Sequence, residues 1–355
     1  MSGAGQWDFE VFTERGPRLD ALLPEWERLA VEHGSSFVSR PAYGLSWFDH
    51  LGKGHLHVAT LRRDGVLVAL APLHRRILLG QPVLRWLGHG LGTVGEVLSC
   101  DGQAAHELWT TLAERGTALQ LTHVRPDATA ILALRRHPAY RTHLQVTDRC
   151  PVLTLVPGVR AGQLRGKETL KRLAKYRGAL QREGRPFSVE VVEDAAGLCR
   201  RWPEIVAVAA AADAGRDRQN LCGPPYDGFT RSVLEAEAVA GRLLVIGALV
   251  GDRWVAHRIG LRTGPTSEQW LTRFEPAMTK YSPGHLLMEW IVDNHEQLGV
   301  GRVDLLLGES SIKLLWTQQG YDVALLTAAP SGLGRVRTAA TLVEFLGATA
   351  RRVRR

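Results

Sequence analysis

Sulfur is sparse in this chain of 355 residues: its four cysteines, Cys100, Cys150, Cys199 and Cys222, stand far apart. Their spacing fits neither a zinc-ligand pattern nor a disulfide framework, so no metal is expected and the thiols should be free in a reducing, cytoplasmic compartment. Long hydrophobic runs are missing too. Nothing approaches the roughly 20 apolar residues that span a bilayer, so no membrane partner is expected. The opening "MSGAGQWDFEVFTERG" lacks the basic-then-apolar plan of a secretion signal. Lysine is scarce, and arginine supplies most of the positive charge.

A hydrophobic content of 45% is enough for one large core or two ordinary ones. The net charge is +8, but it is not evenly spread. Residues 160–185 hold nine basic and two acidic side chains, a local +7, and the tail from 335 holds six arginines and one glutamate, a local +5. The remainder sums to 8 − 7 − 5 = −4. Two basic segments thus flank a slightly acidic body, a distribution that suits contact with phosphates.

The element order repeats. Near the start come a strand, two helices and a hairpin over 56–76, turned by Asp64-Gly65, the strongest short hairpin signal. A helix over about 103–116, a strand "ALQLTHV", a small helix and a strand "PVLTLV" follow. The second half runs from a basic helix over about 163–183 through a strand and two helices (about 194–213 and 225–240). A second hairpin follows, then a third strand over 267–275, a helix, the strand "RVDLLL", a short helix near 309–317 and a last strand. This predicts an α+β protein of two tandem units, each a mixed, largely antiparallel sheet flanked by helices. The boundaries expected are 1–158, 159–335 and a basic C-terminal helix over 336–355, with "RAGQLRGKE" as the junction.

Two stretches suggest anion chemistry. "GLGTVG" (90–95) matches G-x-G-x-x-G, yet "EVLSCDGQ" follows it where a dinucleotide site needs a helix, so it reads as a glycine-rich loop. "YSPGHLLMEW" (281–290) begins a helix: Ser282 is placed as the N-cap, with its hydroxyl accepting from an early backbone N–H, and Pro283 suits the first helical position. Gly284 lets another group approach the free N–H donors, where partial positive charge favours an anion.

The stretches "GDRWVAHRIGLRTG", "QWLTRFEP", "YSPGHLLMEWIVDNHEQLGVGRVDLLLG" and "GESSIKLLW" together resemble the GNAT superfamily of acyl-CoA N-acyltransferases. The likeness is to its two-unit, cellulose-biosynthesis-associated type, and the aminoacyl-tRNA-dependent Fem transferases are similar in the same places. The resemblance makes both units GNAT-like and implies that the second transfers an acyl group, acetyl first, to an amine by direct attack. Acyl-CoA would then be a cosubstrate, with no bound cofactor. The amine acceptor would be a small molecule, a saccharide or a peptide. Where ordinary members carry Q/R-x-x-G-x-G/A, this chain has Ser282-Pro283-Gly284-His285 with one glycine, and Fem-type enzymes depart from the rule at the same place. An aminoacyl-tRNA donor is therefore the alternative, with tRNA as a partner. A non-enzymatic nucleic-acid binder is the second alternative.

The resemblance also assigns residues. The backbone of Leu271, Thr272 and Arg273 would hold the acyl and pantetheine amides, and Ser282, Gly284 and His285 the donor's anion. Lys313 stands where two-unit families carry a Tyr-Lys pair, with Ile312 in place of the tyrosine, and would support developing negative charge. His257 or Glu275 would take the amine's proton and Tyr281 protonate a thiolate. Lys167, Lys171, Arg172 and Lys175, a solvated helix face when read alone, would contact phosphates of coenzyme A or tRNA.

Overall fold

The computed structural model describes residues 6–52, 54–78 and 80–331. The basic segment 336–355 lies outside the described residues. The chain forms two compact units, one made of residues up to Asp148 with the chain from Asp322, the other of Arg149–Tyr321. Both divisions fall inside long strands, and "RAGQLRGKE" lies within the second unit.

In the first unit, β1 (Trp7–Phe12), β2 (His55–Arg63), β3 (Val66–Leu78), β4 (Gln81–Trp86), β5 (Leu98–Ser99) and β6 (Ala118–Val124) alternate with α1 (Pro17–His33), α2 (Pro41–Leu51), α3 (Gly102–Glu114) and α4 (Thr129–Arg136). Asp64 and Gly65 both adopt positive φ (53° and 81°), and Arg63 pairs with Val66, as a two-residue hairpin turn requires. Asp101 caps α3 by accepting from the Ala104 N–H at 2.7 Å. One sheet face, with Leu73, Leu84 and Trp86, packs on Leu108, Trp109, Leu112, Ile131 and Leu134 of α3 and α4. Trp109 is fully buried and its indole N–H donates to the Ala130 carbonyl; its replacement by alanine would cost about 3–5 kcal/mol. "GLGTVG" forms a loop leading to the two-residue β5, with no helix before α3.

The second unit contains β7 (Tyr140–Thr154, entering from the first unit), α5 (Ala161–Leu164), α6 (Lys167–Arg182), β8 (Phe187–Val192), α7 (Ala195–Asp213), α8 (Asp227–Val239), β9 (Leu243–Val250), β10 (Arg253–Thr263), β11 (Thr266–Phe274), α9 (Pro283–Asp293), β12 (Arg302–Asp304) and α10 (Ser311–Leu314). A last strand, β13 (Gly320–Pro330), returns to the first unit and pairs with β6. The strand order here is β7-β12-β11-β10-β9-β8, antiparallel except for β11 beside β12. Leu287, Met288 and Ile291 of α9 join Leu180 of α6 over Ile246, Ala248 and Ala256 on one sheet face. Strand alternation turns His257 and Ile259 to the other face and Arg258 to the α9 face. On the α7 face Trp254 lies over Gly247 so closely that any Cβ there would stand 1.9 Å from the indole.

Candidate functional site

β11 and β12 run parallel for three residues only, Thr266–Glu268 against Arg302–Asp304. Beyond Glu268, β11 continues to Phe274 paired with β10 alone, Leu271, Thr272 and Arg273 standing opposite Ile259, Arg258 and His257. A bulge at Trp270, between the pairs Ile259–Leu271 and Gly260–Gln269, strengthens the twist there. The backbone of 269–274 therefore presents one edge to the opening, as a strand that binds an acyl chain through its amides must.

A clamped turn draws β12 away. The buried Asp304 carboxylate accepts from the Leu306 N–H and the Tyr321 hydroxyl, each at 2.8 Å, and Leu306 sits at φ 54°, a costly conformation for leucine. Burial raises the Asp304 pKa against the pull of these donors. Lys313 completes the clamp: its ammonium donates to the carbonyls of Leu306 (3.1 Å) and Leu307 (2.5 Å). The charge expected to meet substrate is thus spent on holding the wall of the opening.

At the mouth stands the N-terminus of α9. Pro283 occupies the first turn as expected, but the Ser282 hydroxyl makes no capping bond. Ser282 lies in the left-handed region (φ 52°, ψ 53°) after a short 3₁₀ turn, whereas a capping serine needs extended backbone to reach the N2 or N3 donors. Its carbonyl instead accepts from His285 N–H at 2.9 Å and starts the helix. A Cβ added at Gly284 would meet nothing within 4 Å, so the space over this turn is open.

Arg258 reaches this turn from β10. It is 6% exposed, its Nη2 stands 3.5 Å from the Gly284 carbonyl, and its Nε has no hydrogen-bond partner among the described residues. No carboxylate among the described residues pairs with it, and burial lowers its pKa to about 10, which still leaves it charged at neutral pH. Arg165 joins it, stacked 5.4 Å from the Trp316 ring, while the Trp316 indole donates to Nδ1 of His285 at 3.1 Å. Because indole only donates, the His285 proton must sit on Nε2. Burial first, then the charges of Arg165, Arg258 and Arg172, pulls the His285 pKa down to about 4. Two guanidiniums, Arg258 and Arg165, thus stand with a helix N-terminus and an imidazole N–H, and the field of the exposed Arg172 reaches them, an arrangement suited to seating an anion.

The other expected residues lie elsewhere. His257 is fully buried on the α7 face with neither ring nitrogen hydrogen-bonded among the described residues, and burial, then Arg273, pulls its pKa to about 3. An imidazole so depressed does not take a proton from an ammonium near neutral pH. Glu275 is bound to Arg253 at 2.7 Å, and the Tyr281 hydroxyl donates to Glu183. The Arg273 side chain turns to Asp213 of α7 at 2.9 Å, leaving only its backbone for the opening. Lys167, Lys171, Arg172 and Lys175 are exposed along α6. Sequence reasoning missed Arg258, Arg165 and Trp316. An arginine inside the apolar strand "WVAHRIGL" was the available signal, since such a charge is rarely buried without purpose.

Comparison with curated protein sequences returns no match. Residues 167–314 match the family model described as an acetyltransferase (GNAT) domain. FemX shares the fold with a TM-score of 0.60 at 8% identity, over 90% of this chain and 97% of its own. L-PGS from Bacillus licheniformis does so at 0.54 and 13%, over 94% and 98%. The C-terminal DUF2156 domain of a protein assigned as a lysylphosphatidylglycerol synthetase, from Agrobacterium fabrum, gives 0.54 and 12%, over 91% and 95%. At these identities the likeness is one of fold. The α9 N-terminus, Arg258, the β11–β12 divergence and Lys313 fall inside the matched segment, whereas Arg165 and Trp316 lie just outside it, so the likeness to a GNAT acetyltransferase domain is centred on the second unit.

Proposed function

We propose that the second unit transfers an acyl group, acetyl first, from an acyl-CoA to an amine. The observation that carries this reading is Arg258, a buried cation with no acid partner among the described residues, held at an open helix N-terminus beside the parallel-strand divergence. Burying such a charge unpaired costs several kcal/mol, an expense that a bound diphosphate would offset. The seat would hold the coenzyme's diphosphate, and the free edge of β11 near Thr272 would pair with the pantetheine amides and the acyl carbonyl. The amine nitrogen attacks the thioester carbon to form the C–N bond, the C–S bond breaks, and the proton the nitrogen releases ends on the departing sulfur, so the coenzyme leaves as its thiol. Lys313 acts as a positioning residue that keeps β12 parted from β11. The acceptor is an amine on a small molecule, a saccharide or a peptide.

A second reading, an aminoacyl-tRNA donor, is favoured by the exposed cations Lys167, Lys171, Arg172 and Lys175 on α6, since the field of Arg172 reaches His285 in the seat. Thermal-shift titration with acetyl-CoA, coenzyme A and pooled aminoacyl-tRNA at two salt concentrations separates the readings. A ligand that binds only the folded state raises its stability by mass action. Saturable stabilisation by coenzyme A, lost in Arg258→Met, supports the acyl-CoA reading. Salt-sensitive stabilisation by tRNA without any response to coenzyme A would replace it.

A further inference from the structure

β8 is the outermost strand of the second unit's sheet, paired with β9 and with no strand on its other side among the described residues. The Gly251 N–H donates to the Pro186 carbonyl at 2.9 Å, which fixes the alternation along the pair. Ser188, Glu190 and Val192 therefore bond to β9, and the N–H and C=O groups of Phe187, Val189 and Val191 point off the edge. The side chains of these same three residues pack toward the α9 face, whereas Glu190 turns to Arg201 of α7. Sheet edges are ordinarily guarded by charged side chains, proline or a covering element. Here the three residues that face outward are uncharged, and Pro186 stands before the strand.

A cavity of about 320 Å³ opens beside this edge, and Phe187 and Val189 line it with Arg177 of α6 and Glu289, Trp290 and Asp293 of α9. Arg177 forks onto the buried Glu289 carboxylate through both terminal nitrogens, so these two charges cancel. Asp293 remains: it is exposed and in no ion pair among the described residues, with one oxygen accepting from the Ala161 N–H at 2.8 Å. Apolar and aromatic walls with one uncompensated negative charge suit a long basic side chain, its stem on the walls and its cation at the indole face and the carboxylate. A strand added at the edge would bond to Phe187 and Val189, and its residues opposite them would turn their side chains to the same face. The free edge and the cavity thus meet in one ligand.

We propose that the β8 edge docks an extended peptide segment of a partner protein, held by main-chain bonds to Phe187 and Val189 and by a lysine or arginine side chain in the cavity. β8 lies three strand spacings from β11, about 14 Å across the sheet, so this site is separate from the opening assigned to acyl transfer and does not rest on that chemistry.

The test offers the full chain to a displayed library of short random peptides. Selected peptides are then titrated by fluorescence polarisation, with backbone amide exchange followed residue by residue. A lysine or arginine should recur at one position of the selected sequences, and its replacement by glutamate should weaken binding at least tenfold. Asp293→Asn should weaken it to a similar degree. Val189→Pro deletes an N–H that β9 does not use, so it should keep the fold, as melting will show, and abolish binding. Bound peptide should slow exchange at Phe187, Val189 and Val191, whereas Ser188, Glu190 and Val192 are slow without it. Selected peptides that lack a basic residue, affinity unchanged by both variants, or no new protection along the edge overturns the proposal. Protection of the same amides in the free protein that grows with protein concentration also overturns it, in favour of a second copy on the edge.

Discussion

The Arg258 guanidinium stands 3.5 Å from the carbonyl of Gly284, a cation from the sheet meeting the first turn of a helix with no acid between them. A carbonyl satisfies only part of a guanidinium, and the unpartnered Nε makes the free protein bear a desolvation cost. Arg258→Met should therefore raise the unliganded melting temperature or leave it unchanged. The same change should abolish stabilisation by coenzyme A, weakening affinity by at least tenfold. Loss of stability without loss of affinity would show that the arginine is structural.

The parts written locally were legible in the sequence: the Asp64-Gly65 turn, the proline start at Pro283 and the open Gly284. What escaped depends on partners distant in the chain. Glu275 looks free until Arg253 is placed beside it across the hairpin, and His257 looks titratable until burial is known. The β11–β12 divergence needs strands more than 30 residues apart, and the unit boundaries fall inside β7 and β13, where no linker composition marks them. Ser282 failed for a conformational reason: the residue type fits a cap, but the preceding 3₁₀ turn forces it left-handed.

That conformation gives a second prediction. Because Ser282 makes no capping bond and sits at φ 52°, Ser282→Gly should stabilise the protein by about 1 kcal/mol by relieving backbone strain. Urea unfolding would read it. A loss of about 1 kcal/mol would mean that the hydroxyl caps the helix after all.

Gly284 offers a cleaner probe of the open space. Nothing lies within 4 Å of a Cβ there and its φ is not positive. Gly284→Leu should keep its melting temperature within a few degrees while losing coenzyme A binding by tenfold or more in the thermal-shift titration. Equal affinity would place the anion elsewhere.

Lys313→Met removes two ammonium–carbonyl bonds from the turn after β12. The expected cost is about 2 kcal/mol in unfolding free energy, accompanied by reduced kcat. A fall in kcat with stability unchanged would instead make Lys313 a catalytic charge.

Acid should destabilise the protein. His257 is neutral when folded down to about pH 3 but titrates near 6.5 once unfolded, so below 6.5 the unfolded state binds the extra proton. Its contribution is complete above pH 6.5 and is lost as pH falls, reaching about 2 kcal/mol at pH 5. Unfolding measured between pH 7.5 and 5 should show this slope, and His257→Leu should flatten it. An unchanged slope in that variant would place the titration on other groups.

The indole of Trp254 over Gly247 has a consequence for the chemistry on the opposite face. A strand slipped by one residue turns every side chain over. Slipping β10 against β9 would carry Arg258 into the α7 layer and leave an imidazole facing α9. Only a glycine at 247 admits the ring, so the pair works as a key that accepts one alignment. The aim of the cation at the helix is thus set by an aromatic contact on the far side of the sheet. A substitution there would damage recognition without touching any group that meets the ligand.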